Sequence, residues 1–251
     1  MNRRELYAYL EAKMPLYLKE EWDNDGVMCA KNMDKAVRRV LCTLDVTDEV
    51  VDYAEKGNFD LILSHHPLIF APLSTVTEES PVARRVLRLL EQDIAVFSFH
   101  TRLDGVEGGI NDALAALLGL SDVAPLSAAS PIGRIGRLPA PLSFEALCAL
   151  VKEKLGLSAL SAKRTDAPVS TVALVGGEGK DFLADAEAKG ADVYLSGRVG
   201  YHAMLDAACG VLEVGHYFSE RHAAALLQKY LEGAEKGIFS EIYTPNSLEI
   251  Y

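Results

Sequence analysis

Between residues 38 and 104 short apolar runs alternate with amphipathic segments, and this beat constrains the fold more than any other feature. VRRVLCTLD, FDLILSHHP and DIAVFSFHTRLD are the apolar runs; TDEVVDYAEKG and SPVARRVLRLLEQ separate them. The runs are nearly continuous rather than alternating, as burial of both sheet faces requires. The separating segments read as helices. Thr47 is placed to cap the first and Gly57 to stop it, and Pro81 stands in the first turn of the second, where a missing N–H is harmless. The spacing therefore predicts β-α-β-α-β, a parallel sheet with covering helices. Its polar residues fall at one kind of place. Asp45 ends the first strand, His65 and His66 the second, and His100 the third. Parallel strands deliver their carboxyl ends to one edge, where open α/β sheets bind ligands.

The flanking segments read differently. Residues 2–14 form an amphipathic helix with Leu6, Tyr7, Leu10 and Met14 on one side. EWDNDGVMC resembles the start of a calcium loop, but its glycine comes too early and no glutamate closes it, so it reads as a turn. Residues 132–196 run strand (IGRLP), helix (SFEALCALVKEKLG, capped by Ser143), two strands (LSALSAKR, VSTVALVG), helix (KDFLADAEAKG) and strand (ADVYLSG). That βαββαβ order is the split ferredoxin-like pattern. With SDVAPLSAASP as a linker, the expectation is a two-lobed α/β chain. Residues 1–125 plus 211–251 form the parallel-sheet lobe, and 126–210 form an inserted α+β lobe. A short helix (YHAMLDAACG) and strand VLEV then lead to Gly215–His216, with Ser219 as the cap of a helix whose first turn holds Glu220.

Composition narrows the function. The net charge of −11 opposes a groove that tracks nucleic acid. The four cysteines form no CxxC, so a zinc knuckle or redox pair is not expected, and a reducing cytoplasm fits. The N-terminus lacks the uninterrupted apolar core of a signal peptide, and no run approaches the ~20 apolar residues of a membrane span.

Each candidate residue has a plainer reading. His65 and His66 fit a capping role in a turn; adjacent strand residues point to opposite faces, so both serve one site only if the strand stops there. Pro67 favours that stop. His100 and Asp104, four apart, fit a hydrogen-bonded imidazole beside an Asx turn. Glu220 in a first turn is favoured by the helix dipole alone. Yet four of the six histidines sit at predicted strand ends, with only His202 and His222 in predicted helices. That placement points to a metal site. Three imidazoles (His65, His66, His216) and two carboxylates (Asp104, Glu220) are ample for one ion. They hold two only if Glu220 bridges ions about 3.5–4 Å apart, with water in the open positions. Nitrogen and oxygen donors without thiolate suit zinc, manganese, iron or nickel. VGGEGKD, at 175–181, is either a tight turn or an anion contact; it lacks both the P-loop Lys-Ser/Thr pair and GxGxxG spacing.

SHHP, HTRLD and GHYFSE, with WDNDG near the start and VALVGGEGKDF and GADVYLSG between, resemble the signature of the Nif-three-like proteins. These are also called GTP cyclohydrolase I type 2 homologues, and the YbgI proteins belong among them. The resemblance spans essentially the whole chain. It implies a two-lobed Nif-three-like fold with a dinuclear centre of divalent ions on His65, His66, Asp104, His216 and Glu220. It implies that His100 orients ligands or shuttles protons, and that subunits assemble as a toroidal homohexamer. Two positions depart from the pattern. Arg102 stands where the family usually has Asn, and Arg198 where an acidic residue is common; both add positive charge near the motifs.

Three functions follow as expectations. The first is a metal-dependent hydrolase that opens the imidazole ring of GTP and releases formate, with His100 moving protons and Arg102 or Arg198 holding phosphate oxygens. The second is a non-catalytic metal-binding toroidal scaffold that acts through partners. The third is a dinuclear phosphoesterase on another nucleotide-like substrate.

Overall fold

The computed structural model describes residues 1–245. The chain begins with α1 (Arg3–Lys13), β1 (Gly26–Cys29), β2 (Arg39–Thr43), α2 (Asp48–Lys56), β3 (Leu61–Ser64), α3 (Pro81–Glu91), β4 (Ala95–Ser98) and α4 (Thr101–Gly105). It continues through α5 (Ile110–Leu117), β5 (Ser121–Pro125), β6 (Arg134–Leu142), α6 (Phe144–Leu155), β7 (Ser161–Lys163), β8 (Val169–Glu178), α7 (Leu183–Ala188) and β9 (Val193–Arg198). It closes with α8 (Tyr201–Asp206), β10 (Gly210–Glu213), α9 (His216–Glu220), α10 (Ala223–Leu231) and β11 (Phe239–Ile242).

These elements form two compact units. The first is Met1–Leu103 with the return segment from Ala223. Its five-stranded sheet has the order β1-β4-β3-β2-β11. β2, β3, β4 and β11 are parallel, and β1 runs antiparallel on the β4 edge. Thr43, Ser64 and Ser98 are register partners in turn, so the three central strands end level. The helices form where the side chains predict. Thr47 accepts from Val50 N at the start of α2, and Ser80 precedes Pro81 and caps α3. Val50, Val51 and Ala54 of α2, with Val86 and Leu89 of α3, pack on Leu41, Ile62 and Val96. Each such buried valine, leucine or isoleucine contributes about 1.5–3 kcal/mol. Arg84 and Arg85 pair with Asp48, and Arg88 with Asp52 and Glu55, linking the two helices across their outer faces. Cys29 and Cys42 are packing residues: burial pushes their thiols up to about 11 and about 12.

The second unit, Asp104–His222, holds a six-stranded mixed sheet ordered β5-β6-β8-β9-β10-β7. β8, β9 and β10 are parallel; β5, β6 and β7 pair antiparallel. Both faces are covered. Val172, Leu174 and Leu195 meet α5 and α6 on one side, while Ala173, Val175 and Tyr194 meet α7 on the other, which is the two-residue alternation of a strand. Ser143 caps α6 as its sequence predicts, and Gly156 ends it in a left-handed conformation.

Three expectations change. The βαββαβ elements are present in chain order, but the sheet also takes in β5 and β10, and β7 lies at the far edge beside β10 rather than within a four-stranded ferredoxin-like sheet. SDVAP, expected as linker, is strand β5, exposed at every residue, so no apolar alternation marks it. The units divide at 103/104 and 222/223 rather than near 125 and 211, because β5 and β10 are hydrogen-bonded into the second sheet and α5 and α9 pack on it. Among the described residues no helix is long and apolar enough to cross a membrane.

Candidate metal centre

In the first unit β3 stops at Ser64, one residue before the histidines. The amides of His65 and His66 bond to the consecutive carbonyls of Thr43 and Leu44. Successive N–H groups of a regular strand point to opposite sides, so the strand is broken here and both rings are released from its alternation. Their centroids lie 4.8 Å apart. His100, two residues past the end of β4, lies 5.1 Å from His65 and 5.6 Å from His66. Each of the three offers a ring nitrogen within 4.8 Å of the other two. The level strand ends thus gather imidazoles from two strands at one edge.

The Nδ1 atoms of the three rings share one pattern. His65 Nδ1 is 3.0 Å from Phe99 O, His66 Nδ1 is 2.7 Å from Asp45 Oδ1, and His100 Nδ1 is 2.8 Å from Asp23 Oδ1. Carbonyl and carboxylate oxygens only accept, so each Nδ1 carries the proton. In the neutral imidazole, Nε2 then holds the lone pair. An oxygen acceptor behind each ring is the arrangement that orients metal-ligating histidines.

Sequence reasoning missed the residues behind His100. Asp23 also accepts from the Thr101 amide and hydroxyl, and Asp25 accepts from the His100 amide. Burial raises the Asp23 pKa, but the bonds from His100 and Thr101 outweigh it and hold the carboxyl below its ordinary range. WDNDG is therefore a clamp on the start of α4. Its partners lie far along the chain, so only the paired carboxylates in a short turn hint at it.

Arg102 does not face a ligand. It is fully buried, with Nε 2.7 Å from Asp25 Oδ1, Nη1 3.1 Å from Met14 O and Nη2 3.2 Å from the Tyr7 hydroxyl, and it stacks over Phe99. The expectation that it holds substrate phosphate is set aside, because its donors are committed inside the fold. Burial alone would lower its pKa; Asp25 and Tyr7 reverse that and keep it charged. Arg198 ends β9 on the surface.

In the second unit α9 begins at His216 with Gly215, not Ser219, before it. Ser219 lies inside the helix, where its Oγ donates to His216 O and accepts from Gly177 N. His216 Nε2 is 2.9 Å from Glu220 Oε2, one turn apart along α9. Glu220 is buried and His216 exposed. Asp104 is buried in α4, its backbone oxygen held by Asn111 Nδ2 at 3.0 Å.

Glycine lets α9 lie this close to the sheet. A Cβ on Gly197 would stand 2.5 Å from Gly177 O and 2.6 Å from Ser219 Oγ. A Cβ on Gly177, whose φ is +65°, would stand 2.3 Å from Glu220 Oε1. Neither reading of VGGEGKD holds for the whole stretch: residues 175–178 are the irregular end of β8, and the chain turns only at Gly179. The amides of Gly176, Gly177 and Gly179 go to Asn111 Oδ1, Ser219 Oγ and Arg198 O and do not present themselves to an anion. His202 lies in α8, as expected. His222 instead falls in the break between α9 and α10, with Nε2 3.0 Å from Ile110 O, and burial pushes its pKa down.

Fold and donors together define a class: an α/β protein carrying a His/Glu donor set that could hold metal ions. The family described as Duf34/NIF3 (NGG1p interacting factor 3) matches residues 1–246, and the chain belongs to it. A Clostridium perfringens protein called GTP cyclohydrolase 1 type 2 homolog is 34% identical over 229 residues, covering 88% of this chain and 87% of its own length. A Streptococcus pneumoniae protein of the same name is 36% identical over 243 residues, 91% of each chain. Among solved structures, a Bacillus cereus protein related to NIF3 superposes with a TM-score of 0.90 at 22% identity, covering 100% of this chain and 99% of its own. Reduced HcgD from Methanocaldococcus jannaschii superposes with a TM-score of 0.83 at 28% identity, covering 97% of each.

Proposed function

We propose that the chain is a dinuclear metal-dependent hydrolase acting on a nucleotide-like substrate, with ring opening of GTP and release of formate as its reaction. One observation carries the reading: three clustered imidazoles each have Nδ1 held by an oxygen acceptor, which assigns Nε2 of His65 and His66 to a cation and Nε2 of His100 to proton transfer. Such a donor set fits a divalent cation.

His65, His66, Asp104, His216 and Glu220 would hold the two ions. The mixed nitrogen and oxygen donors suit zinc, manganese, iron or nickel. When bound, the ions supply Lewis acidity and a hydrolytic nucleophile at neutral pH. The chain's own residues do the rest. Asp45 and Phe99 O fix the rings of His66 and His65. Asp23 fixes His100, which takes up and releases a proton at Nε2. The relatives' name, GTP cyclohydrolase 1 type 2 homolog, supports the choice of substrate. Assembly as a homohexamer belongs to the same reading, and light scattering on purified protein tests it.

The deciding experiment pairs elemental analysis with a formate-release assay on GTP, for wild type and His65→Ala. The expected result is bound metal and formate from wild type and neither from the variant. Full turnover by a metal-free His65→Ala protein overturns the metal reading. Bound metal without formate moves the function to a phosphoesterase, if a phosphate-ester panel reacts, or to a scaffold, if chelation only dissociates the assembly.

A further inference from the structure

Trp22 is the chain's single tryptophan, and it is 62% exposed; Phe70 is 56% exposed. The two rings stand 6.2 Å apart, and each meets His100 nearly edge to face, at 6.1 Å and 81° for Trp22 and 6.1 Å and 85° for Phe70. Two exposed aromatic rings therefore flank one imidazole of the cluster. Both sit on loops. Trp22 precedes the Asp23 clamp, and Phe70 lies in residues 65–80, which form no helix or strand. A structureless stretch of that length inside a compact unit is uncommon outside binding loops and lids. Asn24 Nδ2 donates to Ile69 O and ties the two loops together beside the rings.

Next to Phe70 is a cavity of 460 Å³, lined by Val46, His66, Leu68, Phe70, Leu73 and Arg85 among others. That volume lies in the range of small-molecule sites, about 300–1,000 Å³. Its charges decide what it can hold. Arg85 is the one lysine or arginine in the lining, and its Nε and Nη2 are already bonded to the Asp48 carboxylate at 3.1 and 3.3 Å. The Thr47 hydroxyl accepts from Val50 N as a helix cap. Asp45 adds a carboxylate to the wall. A phosphate needs uncommitted cations or amides and would meet this carboxylate instead. A flat, largely apolar ring finds apolar walls, the Phe70 ring and the His66 imidazole in the lining, with Trp22 and His100 each about one ring width beyond Phe70.

We propose that this cavity takes the planar heteroaromatic ring of a small-molecule substrate. The ring packs against Phe70 with its edge toward His66, and Trp22 and His100 stand behind Phe70. Recognition here is of the ring and not of phosphate. The proposal rests on reading the imidazole cluster as the reaction site, and it assigns the substrate a nucleobase-like heterocycle.

Because Trp22 is the chain's single tryptophan and its ring lies 6.2 Å from Phe70 of the lining, its fluorescence reports on the cavity. Purified protein is titrated with guanosine, a ring without phosphate, and with ribose 5-phosphate, a phosphate without the ring. Excitation is at the red edge of the indole band. Guanosine is expected to quench saturably and ribose 5-phosphate to leave the signal unchanged. Phe70→Ala removes one stacking face and weakens guanosine on the order of tenfold, with an unchanged unfolding midpoint. Phe70→Leu keeps apolar bulk without the flat face and also weakens it. Quenching by ribose 5-phosphate, no quenching by guanosine, or guanosine affinity unchanged in Phe70→Ala each overturns the proposal. The readout needs no turnover. Binding without formate release sinks the hydrolase reading alone, while formate release with no role for Phe70 sinks this one alone.

Discussion

His66 turns Nδ1 toward the carboxylate of Asp45, 2.7 Å away, across the step between the ends of β2 and β3. Asp45 is half exposed, so this contact adds little to folding and serves chiefly to set the ring. Asp45→Ala is therefore expected to weaken metal binding about 10–100-fold, the usual effect of losing a partner behind a ligating histidine. The unfolding midpoint of the metal-free protein should not move. Competition against a chelator of known affinity measures the first quantity, and urea unfolding the second. Unchanged metal affinity would remove His66 from the ligand set.

Arg102 gives a second prediction, which separates a structural role from a substrate role. Its guanidinium is paired with Asp25 inside the fold, and removing one partner of a buried pair strands the other charge. Arg102→Met should cost about 3–5 kcal/mol in urea unfolding. Arg102→Met combined with Asp25→Leu should recover part of that loss, because neither charge is then left alone. A variant of wild-type stability with only a raised KM would restore the substrate role.

The α2–α3 link predicts a pH dependence. The hydrogen bond from Arg85 is the largest influence on Asp48 and, with Arg84, holds its carboxyl below the ordinary range. The native state therefore binds fewer protons at this site than the unfolded chain does. The stabilisation is full above the unfolded carboxylate value of about 3.9 and is lost as pH falls through the lower folded value. Asp48 and Arg84 are more than a third exposed and Arg85 about a fifth, so the effect is small and screened by salt. Comparing urea midpoints of wild type and Asp48→Asn, the advantage of wild type should be constant from pH 7 to pH 5. It should shrink as the buffer is taken toward pH 3 at low ionic strength. An advantage that grows on acidification would reverse the sign.

What the sequence made legible follows from how local each cause is. Thr47, Ser143 and Pro81 act within one helical turn, and each does what its position predicts. His65, His66 and His100 converge because level parallel strands translate a sequence rhythm into one edge. The WDNDG clamp was not legible: Asp23 and Asp25 find their partners more than 70 residues away. Strand β5 was hidden because all of it is exposed, and β1 because only its ends are buried. Arg102 was misread because a charge near a motif suggests a ligand, while its partners in α1 and WDNDG come from a different part of the chain.

Gly177 offers the sharpest test of the second unit. Its φ of +65° is strained for any L side chain, so alanine there costs about 1–2 kcal/mol wherever the added carbon points. The carbon would also stand 2.3 Å from Glu220 Oε1 and 3.3 Å from His216 Nε2. Gly190 supplies the control. Its φ is +72°, yet a Cβ there meets nothing within 4 Å. Both alanine variants should lose similar stability from the backbone. Only Gly177→Ala should displace Glu220 and lower the metal content of the purified protein, with Gly190→Ala retaining the wild-type amount. Equal metal content in the two variants, read by elemental analysis on folded samples, would mean that Glu220 is not a ligand and that α9 approaches the sheet for packing alone.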